Sequence, residues 1–78
     1  MTVQELRSKR VAAEIPATLL ASKARVHRSR LSGLEYGYVQ PADDELQRLH
    51  VSLEHLIRAK AVIRQAAASV GWPLGGTG

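Results

Sequence analysis

From Asp43 to Val70 the chain contains neither glycine nor proline. Those are the residues that most readily end a helix, one through backbone freedom and the other through a missing N–H. Over the same stretch Leu46, Leu49, Leu53, Leu56, Ile63 and Val70 recur at three–four spacing, interrupted at Lys60. Such spacing lays apolar side chains along one helical face. Ala59, Ala61, Ala66, Ala67 and Ala68 add strong helix propensity. More than a third of a 78-residue chain is therefore expected to be helical. It forms either one long helix or two, the pair breaking near His50-Val51-Ser52 with Ser52 as N-cap. Gly71-Trp72-Pro73 supplies the stop: glycine to cap, an apolar residue to fold back, proline to forbid continuation.

The rest of the chain has room only for short elements. Val3, Leu6, Arg10 and Val11 mark a first helix from Val3 to about Ala13, ended by Ile15-Pro16. A second is expected from Pro16 to about Lys23, with Leu19 and Leu20 as its apolar face. A third runs from His27 to about Tyr36, anchored by Leu31 and Leu34, and Gly37 is placed to end it in a left-handed cap. After a loop through Pro41, Asp43, Asp44 and Glu45 put three carboxylates at the start of the long helical segment, where the helix dipole favours negative charge. No strand pattern and no internal repeat appear. The fold class is all-α, one domain over residues 1–73 with a core at 3–53, a helical arm at 54–70 and a disordered tail at 74–78.

Composition excludes several classes. Apolar residues make up 45% of the chain, enough for a core, but with no Phe the core must be aliphatic. The absence of Cys removes disulfides and thiolate chemistry and fits a reducing, cytoplasmic setting. No apolar run is long enough for a membrane span, and the charged N-terminus does not read as a signal peptide. His50 and Glu54 share a helix face but lack a third ligand, so no metal or other cofactor is expected. Nor is there a nucleophile–base pairing, a phosphate loop or a paired-carboxylate motif, so an enzyme is not expected.

Charge points the other way, toward a partner. Residues 1–30 carry seven basic side chains against two acidic, while residues 31–78 are nearly neutral. A basic half suggests one surface that faces a polyanion, most commonly nucleic acid.

Three short helices, the second and third about three residues apart, form a helix-turn-helix pattern. Arg10, Leu20-Ala21, Val26, Arg28-Ser29, Leu31-Ser32, Leu34-Glu35 and Gly37, continued by Pro41, Leu46, Leu49 and Leu53, stand at the offsets of a known family without a gap. Over residues 6–53 the chain resembles the Cro/repressor (XRE) helix-turn-helix family of phage and bacterial regulators. The resemblance implies a lambda-repressor-like bundle with a long C-terminal helix or helix pair, binding double-stranded DNA as a repressor-like transcription regulator. The recognition helix would be residues 27–36, set in the major groove.

By that resemblance Arg28, Ser29, Ser32 and His27 are candidate base contacts, with Arg28 the main reader because guanidinium matches guanine bidentately. Thr18, Lys23, Arg25 and Arg30 are candidate phosphate contacts. Arg10 and Glu35 correspond to an ion pair tying the first helix to the end of the third. Arg25 stands where the family usually has glycine, which implies a different turn or a strained one. Gly33 occupies a position that often reads a base; lacking a side chain, it is expected to allow close approach to the groove. Leu56, Ile63 and Val70 give the arm an apolar stripe for a homodimer, which would read half-sites about 34 Å apart. The alternatives are packing of that stripe on its own domain, or a protein-interaction module, antitoxin-like, in which the same residues meet a protein partner.

Overall fold

Each helix begins where local chemistry dictates. α1 (Val3–Ala12) starts at Thr2, whose hydroxyl accepts the N–H of Glu5. α2 (Ala17–Ala24) follows Pro16, which sits at the cap in an extended conformation. α3 (Arg28–Glu35) is capped by His27, whose Nδ1 accepts the N–H of Ser29 at 3.2 Å. α4 (Asp43–Val70) starts after Ala42, whose N–H is accepted by the Glu45 carboxylate at 3.2 Å. This is half of a capping box. The computed structural model describes residues 2–70 and, within α4, side chains to residue 67. The expected stop at 71–73, the tail at 74–78 and the side chain of Val70 lie outside the described residues.

The first three helices close in the same way. After each, one residue turns left-handed: Glu14 (φ 58°), Arg25 (φ 58°) and Gly37 (φ 81°). The N–H of the residue after it then reaches five positions back: Ile15 to Arg10 at 3.1 Å, Val26 to Ala21 at 2.9 Å, Tyr38 to Gly33 at 2.8 Å. The left-handed residue itself bonds three back, at 3.0–3.2 Å. These are three Schellman closures, for which glycine is the usual residue. Only the third has one. The turn between α2 and α3 thus keeps the expected backbone but builds it from arginine, at a cost of about 1 kcal/mol.

Six leucines, at positions 6, 20, 31, 34, 49 and 53, are fully buried, and Ile15 and Val26 enter the same core from the first two turns. Each such leucine stabilises by about 1.5–3 kcal/mol relative to exposure. α2 packs on α3 and α4, and α1 on the same two helices. Leu19 departs from expectation. It is 47% exposed, because α2 turns Leu20, Ala21 and Ala24 inward instead.

α4 is one helix, not two. Leu49 and Leu53 are both fully buried, placed on the same core-facing side one turn apart along the continuous helix. Ser52 is buried within it and caps nothing. At about 1.5 Å per residue the helix accounts for most of the molecule's longest dimension, with principal extents of 47 × 19 × 19 Å. Its second half runs along the end of α1, which Lys60 and Arg64 reach. No described helix is long and apolar enough to cross a membrane.

Candidate nucleic-acid interface

The chain's basic residues divide into two groups by their partners. On α1, Arg10 is tied to Glu35: its Nε and Nη2 each donate to one carboxylate oxygen at 2.8 Å. Its Nη1 donates to the Ile15 carbonyl, also at 2.8 Å. The two side chains are 12% and 6% exposed. The structure thus brings together the pair that the sequence resemblance implied, and Arg7 approaches the same carboxylate at 4.0 Å. Lys9 pairs with Glu54 of α4, a partner not foreseen, and holds that carboxyl below its ordinary range.

Lys60 is the other surprise on this side. It interrupts the apolar stripe because its Nζ donates to the carbonyls of Ala13 (2.6 Å) and Glu14 (3.2 Å). A cation at these C-terminal carbonyls satisfies acceptors that α1 leaves open. Lys60 and Arg64 also lie 3.8 and 3.7 Å from the Glu14 carboxylate. The lysine clamps the long helix to α1.

Arg30, expected at phosphate, is engaged internally. Its Nε and Nη2 donate to the two oxygens of Glu45 at 2.6 and 2.8 Å, across from α3 to the start of α4. The hydrogen bond from Arg30 holds the buried Glu45 carboxyl below its ordinary range, against the opposing effect of burial. A phosphate at Arg30 has to share or displace this carboxylate. Glu45 therefore serves both as a helix-start residue and as a brace between helices.

Around the α2–α3 turn the pattern reverses. Among the described residues, Lys23, Arg25, Arg28, Arg48 and Arg58 have no carboxylate within ion-pair distance. Four of the five lie near the turn, and all of these are exposed. His27, Arg28, Ser29 and Ser32 line one shallow depression, joined by Tyr38 from the loop after α3. The expected base-contact residues are thus together on one face. His27 and Ser29 are also coupled, with Nδ1 2.6 Å from Oγ. Thr18 is exposed in the first turn of α2.

Gly33 lines the same depression, and a Cβ there would sit 3.3 Å from Val39 Cγ2, so glycine also lets the following loop pack down on α3. That packing holds Tyr38, 82% exposed, beside the α3 face. Two residues escaped sequence reasoning. Tyr38 belongs to a loop that periodicity does not describe, and Arg48 is distant in sequence from the turn it neighbours.

The arm is only partly free. Leu56 packs against the core, while Ile63 is 63% exposed, as is its neighbour Val62 at 64%. No group of three or more His, Cys, Asp or Glu gathers among the described residues.

No family model matches this sequence, and no curated protein or solved structure matches it either.

Proposed function

We propose that this chain is a sequence-specific DNA-binding regulator, repressor-like, with α3 seated in the major groove. The observation that carries the reading is the uneven neutralisation of charge. Acidic partners meet the cations of α1, Arg30 and Lys60, while the exposed cations around the α2–α3 turn are left without one. A protein surface that withholds carboxylates from a basic patch favours a polyanion there. The helix–turn–helix placement and the in-register resemblance to the Cro/repressor family support the same reading, and with it a lambda-repressor-like arrangement. Arg28 reads a base edge, with Ser29, Ser32 and His27 beside it. A second copy, paired through exposed arm residues such as Ile63, doubles the small set of base contacts.

The test is a fluorescence titration against a pool of duplexes at several salt concentrations, with complex stoichiometry read in the same experiment. Tight, salt-sensitive binding with two chains per site is expected. Arg28→Ala should cost about 1–3 kcal/mol on the preferred sequence and flatten base preference. No binding at low salt overturns the reading. Unchanged selectivity in Arg28→Ala moves base readout to another side chain, whereas absence of DNA binding favours a protein-interaction module that uses arm residues such as the exposed Ile63.

A further inference from the structure

We infer that Arg48 of α4 joins Lys23 and Arg25 to form a second DNA contact, a cationic cradle for the sugar–phosphate backbone beside the groove-facing side chains of α3. The inference rests on the DNA-binding reading above and adds a residue from outside the helix–turn–helix. Lys23, Arg25, Gln47, Arg48 and Ser52 line one shallow depression where the end of α2 meets α4. Three cations line it and no carboxylate does.

The nearest acid on α4, Glu45, attracts Arg48 through space but makes no ion pair with it. Both oxygens of Glu45 are held by Arg30. Asp44, one helical turn before Arg48, makes no ion pair with it. Gathering like charges costs free energy that solvent and salt screen but do not remove. A row of phosphates removes it, because duplex DNA carries about one charge per 1.7 Å along its axis.

Position supports the same partner. Arg25 lines this depression and His27, two residues on, lines the one with Arg28, Ser29 and Ser32, so the two adjoin across the α2–α3 turn. With the second depression toward base edges, the first lies to its side, where a strand's backbone runs. Contacts there position the protein without reading sequence. Arg25 also keeps a left-handed backbone that glycine would adopt freely, so the charge is held at a conformational cost.

The experiment measures binding of the full chain to a labelled mixed-sequence duplex across salt concentrations. Arg48→Gln should lower the slope of log affinity against log salt by about 0.9. The affinity lost between roughly 50 and 200 mM salt then shrinks by about 3.5-fold, equally on every sequence tried. Lys23→Gln should do the same and serves if Arg48→Gln fails to fold. Arg58→Gln, an unpaired cation further along α4, should leave the slope unchanged. If the parent binds DNA and Arg48→Gln keeps its slope, the cradle is wrong while the DNA reading stands. Equal flattening by Arg58→Gln assigns the effect to bulk charge and also overturns the cradle. A parent that binds no duplex at low salt overturns both.

Discussion

The α1–arm side of the molecule and the α2–α3 turn are both rich in cations, and they treat them in opposite ways. On the first side Arg10 makes three hydrogen bonds, Lys9 meets Glu54, and Lys60 closes the end of α1. At the turn, Lys23, Arg25 and Arg28 have no acidic partner among the described residues. Net charge does not distinguish these regions, because both are basic in sequence. The distribution of carboxylates does. Where acids are supplied, a cation holds the fold together; where they are withheld, its field faces solvent and, on the proposed reading, the phosphates of DNA.

The largest expected effect tests the first half of that contrast. Arg10→Ala leaves the Glu35 carboxylate buried without its main partner and should destabilise the fold by about 3 kcal/mol. Arg58→Ala, which breaks no ion pair, should change stability by no more than about 0.5 kcal/mol. Urea unfolding of the two variants compares them directly. Similar losses in both would erase the distinction between paired and unpaired cations.

Acid should act on the paired side in the same sense. Glu45 and Glu54 ionise more readily in the folded chain than in the unfolded one, through Arg30 and Lys9 respectively. Their contribution is complete above the ordinary carboxylate value of 4.5 and is lost as pH falls through the lowered folded values. Thermal melts from pH 6 downward should therefore show a decline that Glu45→Gln makes shallower. A decline of unchanged steepness would mean that Arg30 does not hold this carboxylate in solution.

The smallest effect has the opposite sign. Arg25→Gly relieves a left-handed arginine and should raise stability by about 0.5–1 kcal/mol, read as a shift in the urea midpoint. The same change at Glu14 relieves the same backbone but leaves the cations at the turn intact. Arg25→Gly should weaken DNA binding and Glu14→Gly should not. Were both to bind as the parent does, the cost carried at Arg25 would have no functional counterpart.

How much was legible in the sequence depended on the range of the interaction. Helix limits were readable where Pro16, Gly37 and the carboxylates at 43–45 act within a few residues of their own backbone, while the caps at Thr2 and His27 emerge only in the structure. The inward leucines were readable because helical periodicity is local too. The Arg10–Glu35 pair came from the family resemblance, since nothing in the spacing of residues 25 apart in sequence announces a contact. The contact of Gly33 with Val39 is not legible in the sequence, because Val39 lies in a loop that bends back over it. The Arg30–Glu45 pair is not legible in the sequence, because the partner of this candidate phosphate contact stands on another helix.

The sequence by itself determined four helical segments, their ends, an aliphatic core and an excess of positive charge near the N-terminus. Propensity, capping and periodicity operate over one or two turns, and none needs a tertiary neighbour to be read. Only the tertiary structure decided that residues 43–70 form one helix, with Leu49 and Leu53 buried one turn apart in the core that α4 shares with α1 and α2. It also decided which cations were neutralised. Ion pairs and hydrogen bonds require approach within a few ångströms, and packing alone brings Lys60 to the end of α1 and Glu45 to Arg30, while placing Arg48 beside Lys23 and Arg25 with no acid between them.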